Sequence, residues 1–183
     1  MPLRAGACRF YTLYLYELYA DITIKARCAD PTAAEHILLQ HKADYKGTDV
    51  QTDTFYESDY GRLKHRRGNI ENVLMHYNRQ HCGSAKKTEV LLYLKNPSAT
   101  TIDQICSGRQ VLGQVKKLRK IFFIENVKFH IDQLEGFGQF IEIEAIDLDG
   151  TLGIEVLRQQ CDFYKELLQI ADEDLITDSY VDF

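Results

Sequence analysis

The sequence lacks the usual devices for gripping a phosphate, a metal or a nucleophile. It has no Walker A loop, no GxGxxG, no HExxH and no GxSxG. That excludes a glycine-rich phosphate cradle, a zincin helix and a nucleophile elbow. Its five cysteines, Cys8, Cys28, Cys82, Cys106 and Cys161, are odd in number and scattered. None stands in a CxxC or in a Cys/His cluster of zinc spacing, so free thiols in a reducing, cytoplasmic setting are expected. No stretch reads as a membrane span. A basic excess is missing too: the net charge is −5. This argues against a general nucleic-acid binder, but leaves room for a basic site inside an acidic protein. Repeats, low-complexity segments and linkers are absent. The 183 residues suffice for one domain with a sizeable core.

Residues 1–19 are an atypical N-terminal extension, and residues 20–183 are expected to form the single domain. Arg4 and Arg9 precede an apolar, tyrosine-rich run that hints at a signal peptide. The run has no good small-residue cleavage site and is broken by Glu17. An extra N-terminal strand or a poorly ordered leader is the expected reading.

Strands are expected over 20–28, 48–57, 61–67, 71–79 and 86–94, with DYG, GN and CGSA among the turns between the last four. Asp30 as N-cap and Pro31 at N1 open a helix, and a second opens near Ser98. VKKLRKIFFIE, KFHIDQLE and GQFIEIEAID read as three more strands, the last two linked by GFG at 136–138. Residues 151–170 carry an amphipathic pattern, and a short helical piece starts at Asp172. Hairpin-linked strands pair antiparallel, and eight of them can close a barrel. The expected class is α+β: a closed eight-stranded antiparallel β-barrel, or tunnel, with helices outside.

Side chains alternate across a strand, and here the charges keep to one parity. In DITIKAR, Asp21, Thr23, Lys25 and Arg27 oppose Ile22, Ile24 and Ala26. Arg62, Lys64 and Arg66 share a face, as do Tyr77 and Arg79, Lys117 and Arg119, His130 and Asp132, and Glu142 and Glu144. A sheet with one solvated face gives such stripes as well. These stripes, however, segregate by sign, bases on three strands and acids on the last. Like charges side by side repel, so an anion is expected among the bases. The expected picture is a barrel with a polar interior, its Lys and Arg clamping a polyanion. Glu142 and Glu144 would suit Mg²⁺ or Mn²⁺. His65, His76 and His130 lack metal spacing and read as surface or satisfied interior histidines.

QTDTFYESDYGRLKHRR, YNR, KKT, VKKLR, HIDQLEGFGQFIEIE and the terminal SYVDF occur in this order. Together they resemble the CYTH superfamily, the triphosphate tunnel metalloenzymes, over about residues 20–183. The resemblance implies a closed β-tunnel and a triphosphate ligand such as ATP, tripolyphosphate or thiamine triphosphate. By resemblance, Lys25, Lys64, Arg66, Arg79, Lys86, Lys117 and Arg119 bind the phosphates; Lys86 with Thr88 fits the family pattern better than Lys87. Catalytic roles fall to Lys25, Arg119 and Asp132, and metal ligation to Asp21, Glu142 and Glu144. The ending DEDLITDSYVDF looks most like the class IV adenylate cyclase branch, which converts ATP to cyclic AMP and pyrophosphate. Homodimers are consistent with that branch; no membrane or nucleic-acid partner is implied. The alternatives are an inorganic or thiamine triphosphatase, and a weakened polyphosphate or nucleotide binder. The last arises because the family's E-x-E-x-K signature reads Asp21, Ile22, Thr23, Ile24, Lys25 here.

Overall fold

In the computed structural model, residues 19–82 and 85–182 are described. The expected N-terminal strand or leader therefore lies almost wholly outside the described residues. The strands are β1 (Ala20–Arg27), β2 (Asp44–Tyr56), β3 (Arg62–Arg67), β4 (Asn72–Cys82), β5 (Ala85–Lys95), β6 (Val111–Ile124), β7 (Val127–Leu134) and β8 (Gly138–Asp147). They close into a barrel in the order β1-β5-β4-β3-β2-β6-β7-β8, every pair antiparallel. The helices are α1 (Pro31–Gln40), α2 (Ala99–Cys106) and α3 (Ile154–Leu167). Short 3₁₀ turns follow at Asp172–Asp174 and Tyr180–Asp182.

Local chemistry sets the boundaries. The Asp30 side chain accepts from the Ala33 amide and Ser98 from Thr101, so both helices start where a capping side chain meets the first free N–H groups. β7 turns into β8 at Gly136, whose φ of +81° an L side chain rarely adopts. Two strands are longer than their patterns suggest. β2 begins at Asp44 rather than 48, and β6 at Val111 rather than 115. Their outer ends are largely exposed and carry no apolar alternation. Backbone pairing extends them: Asp44 opposite Phe123, and Tyr56 opposite Val111.

Most of the apolar core lies outside the barrel. Ile22, Ile24, Ile141, Ile143 and Phe129, on the outer faces of β1, β8 and β7, bury against Leu38 of α1 and Leu157 and Cys161 of α3. A second cluster seats Ile105 and Cys106 of α2 on Leu63, Leu74 and Leu92. Each such large side chain contributes roughly 1.5–3 kcal/mol on burial. Since the helices take the apolar parity of the strands, the opposite parity must face the bore. The outer face of β2 and β6 stays uncovered, with Val50 and Leu118 exposed.

Candidate functional site

The bore is lined by Thr23, Lys25, Asp53, Lys64, Arg66, Arg79, Lys117, Arg119, His130, Glu142 and Glu144, among others. Most of the charged residues singled out by parity are thus brought together. Asp21 lies beside them, 2 % exposed, and Asp132 is likewise buried. Lys86 sits at one mouth with Arg62 and Arg79. Arg27, at the end of the DITIKAR stripe, points to solvent.

The bases are not left side by side without a countercharge, as the stripes alone suggested. Asp53 on β2 stands among them. Its carboxylate takes Nε and Nη2 of Arg66 at 2.9 and 3.1 Å, Nζ of Lys117 at 3.0 Å and Nζ of Lys64 at 3.7 Å. Burial favours a protonated Asp53, but Arg66, Lys117 and Lys64 outweigh it and hold the carboxyl well below its ordinary value. Glu71 also meets Arg66, but among the described residues Lys64 and Lys117 have no carboxylate partner besides the shared Asp53. Burial pushes Lys64 well below the usual ammonium range in spite of Asp53, and Lys117 down to about 8.

A second knot surrounds Arg119, itself 1 % exposed. Asp132 grips it through both oxygens, at 2.6 and 2.5 Å, and Glu142 reaches Nη2 at 2.7 Å. Glu142 also lies 3.4 Å from Lys25 Nζ and 3.1 Å from His130 Nδ1. The remaining bases are less well balanced. Lys86 has no carboxylate partner among the described residues, and burial with Arg79 and Lys25 nearby pushes it down to about 8. Arg79 donates Nε to the Thr88 hydroxyl at 3.3 Å.

His130 departs from the satisfied-interior reading. Its Nδ1 meets Glu142, but its buried Nε2 has no partner. Burial, then Arg119 and Lys128, push the imidazole down to about 4, so it is neutral near pH 7. Glu142, itself held ionised, fixes Nδ1–H as the donor and leaves the buried Nε2 as an acceptor. His65 and His76 do conform: one meets Asn72 and the other the Tyr60 carbonyl.

The chain's last residues return to the same mouth. The Ile176 amide donates to the Lys25 carbonyl at 2.8 Å, and Lys25 Nζ donates to the Asp178 carbonyl at 3.3 Å. Tyr180 donates its hydroxyl to Asp132 at 3.1 Å and lays its ring 3.7 Å from Lys25 Nζ. Parity reasoning missed Asp53, Glu71, Lys128 and Tyr180. Asp53 was legible: in QTDTFY it shares a parity with Gln51. Glu71, which the expected strand 71–79 put on the parity of Tyr77 and Arg79, lies in the turn before β4, and Tyr180 lies in the tail, where period-2 alternation carries no signal.

Among the described residues no three of His, Cys, Asp and Glu form a ready metal cluster. Asp132 and Glu142 are engaged by Arg119. Asp21 and Glu144 remain. Glu144 has no ion-pair partner among the described residues, and burial together with its charge pushes Asp21 up to about 7. Two neighbouring carboxylates short of positive charge fit a hard cation. Thr23 lies opposite Glu144 and donates its hydroxyl to Asp21 at 2.9 Å. Thr23→Glu adds the missing carboxylate, so Mn²⁺ should raise the melting temperature of that variant more than that of wild type. Equal shifts would count against this placement.

Asp21 also gives a pH signature. Its folded pKa of about 7 exceeds its ordinary 3.8, so on raising pH the unfolded chain loses this proton first. Asp21 is therefore neutral at no cost below about pH 4, and its penalty grows as pH rises to about 7. In metal-free buffer Asp21→Asn should gain on wild type by roughly 2–4 kcal/mol across that window. Parallel denaturant melts at the two pH values check this; a constant difference would refute it.

No individual curated protein matches the chain. Solved structures do. PH1012 of Pyrococcus horikoshii OT3 superposes with a TM-score of 0.73 at 22 % identity, covering 88 % of this chain and 98 % of that one. A candidate adenylate cyclase of Vibrio parahaemolyticus gives 0.72 at 17 %, covering 88 % and 95 %. Hippeastrum HpAC1, a candidate adenylyl cyclase described as having a dominant triphosphatase activity, gives 0.56 at 16 %, covering 87 % and 92 %. At these identities the likeness shows the fold. The family model named CYTH domain matches residues 21–180. The chain thus belongs to the CYTH family.

Proposed function

We propose that the bore holds a triphosphate, and that the chain is a divalent-metal-dependent enzyme converting ATP to cyclic AMP and pyrophosphate. The observation that carries the triphosphate reading is the surplus of buried positive charge. Lys64, Arg66 and Lys117 share Asp53, while Lys86 adds a further cation with no carboxylate partner among the described residues. A buried, uncompensated cation is costly, and a polyanion relieves it. Lys25, Lys64, Arg66, Arg79, Lys86, Lys117 and Arg119 would hold phosphate oxygens. Arg does so through two parallel N–H bonds and Lys as a compact charge.

In that reading the ribose 3′-oxygen attacks the α-phosphorus and its proton passes to solvent. The bond to the bridging oxygen breaks, and pyrophosphate leaves with the charge that the bases stabilise. Asp132 keeps the Arg119 fork in place, and Tyr180 at the mouth shields the phosphates from water. A divalent cation held by Asp21 and Glu144, with Glu142 adjoining, would supply further positive charge to the phosphate oxygens.

The second reading is hydrolysis, with water attacking a phosphorus instead. It is favoured by Thr23, which thins the acidic set, and by the activity named for HpAC1. Incubation with ATP, tripolyphosphate and thiamine triphosphate in Mg²⁺ or Mn²⁺, followed by product separation, decides. Cyclic AMP with pyrophosphate supports the first reading. Inorganic phosphate alone supports the second. Tight binding without turnover leaves a non-catalytic binder.

A further inference from the structure

We propose that the bore is closed at one end, so that a phosphate chain enters by its terminus and cannot thread through. The inference rests on the polyphosphate reading and adds a substrate class to it: short phosphate chains, or long ones held only by their ends.

One mouth is open to ligand. There Arg62, Asn78, Arg79 and Lys86 face Thr177 to Ser179 across a hollow that shares Arg79 and Ser179 with the main cavity. At the opposite end the lining stops at Arg66, His130 and Glu144. Beyond them lies Glu71, in the turn between β3 and β4. Its carboxylate takes Arg66 Nη1 at 2.8 Å, Gln51 Nε2 at 3.1 Å and Lys128 Nζ. Arg66 belongs to β3 and Lys128 to β7, with β2 and β6 between them in the barrel. The Arg66–Glu71–Lys128 bridge therefore runs across the bore rather than along its wall.

The turn that carries Glu71 is fastened down. The Asp49 carboxylate, fully buried, accepts from the Ile70 amide at 2.8 Å, the Glu71 amide at 2.9 Å and Gln51 Nε2 at 2.7 Å. Gly68 permits this approach, because a Cβ there would fall 2.4 Å from the Asp49 carboxylate. On the β1 and β5 side, Tyr19 and Tyr93 meet edge to face with centroids 5.7 Å apart. Charge adds to the obstruction. Lys128 is already paired with Glu71, and the Asp49 and Glu71 carboxylates at the closed end offer an advancing phosphate no free cation. The terminal phosphate must then point inward, and any attached group must stay at the mouth beside Arg62 and Ser179.

Binding stoichiometry tests the closure without any substitution. Wild-type protein, in EDTA to prevent turnover, is titrated with tripolyphosphate and with linear polyphosphate of two defined lengths. The mass of each saturated complex is read by sedimentation. A closed bore gives one copy per tripolyphosphate and two copies per long chain at both lengths, one at each end. A copy number that grows with chain length means threading. That result overturns the closure and leaves the polyphosphate reading standing. If neither probe binds, the polyphosphate reading itself falls, and the inference falls with it.

Discussion

Asp53→Asn is expected to lose about 3–5 kcal/mol of stability in dilute buffer, and tripolyphosphate is expected to restore much of it. Asp53 is 3 % exposed and is the shared countercharge of Lys64, Arg66 and Lys117. Asparagine keeps the volume but removes the charge. Two of the three cations then have no carboxylate left, since only Arg66 retains Glu71. A ligand that binds the folded state alone stabilises it by mass action, and an anion in the bore replaces the missing charge. Thermal melts with and without tripolyphosphate check this. The anion should help the variant more than the wild type; an equal shift in both would mean that the cations do not face the ligand.

Arg119→Met carries the opposite sign. Methionine approximates the length of the stem and deletes the cation, leaving Asp132, 1 % exposed, without its bidentate partner. Glu142 keeps Lys25 and His130. A loss of about 3–5 kcal/mol is expected, with triphosphate affinity falling at least tenfold. Here Mn²⁺, not an anion, should be the rescuing ion, because Asp132 and Glu142, which both meet Arg119 Nη2, then lose the cation between them. Melts in Mn²⁺ and in EDTA separate the outcomes. If tripolyphosphate rescues Arg119→Met as well as it rescues Asp53→Asn, the two knots do not differ in sign as described.

The two variants bracket what could be read from the sequence. GQFIEIEAID matches β8 residue for residue, because Ile and Glu alternate from Ile141 to Glu144 and GFG supplies the turn. Parity also put Lys25, Lys64, Arg79, Lys117 and Glu142 on the bore side, since the apolar parity of each strand needed a helix. What parity does not carry is partnership across strands. Asp53 lies opposite Arg66 by register, and Lys117 reaches it diagonally from β6. No single strand reveals that a base already has an acid. Hence the stripes read as bases awaiting an external anion, while the folded chain supplies part of that anion itself. Glu142 likewise read as a metal ligand, and in the folded chain it also meets Lys25, Arg119 and His130. Glu71 and Tyr180 sit in a turn and a tail, and only the closure of the barrel brings them to the bore.

The central claim is that the inward parity of the strands, and not the protein surface, receives a triphosphate. Lys117 and Lys116 are neighbours on β6 with opposite fates: one buried in the bore, the other exposed outside. Calorimetric titration of tripolyphosphate into wild type, Lys117→Ala and Lys116→Ala tests the claim most directly. The expected result is one site per chain in wild type, at least tenfold weaker binding in Lys117→Ala, about the effect of one charge-assisted hydrogen bond, and unchanged binding in Lys116→Ala. Equal weakening in both variants, or none in Lys117→Ala, would contradict it.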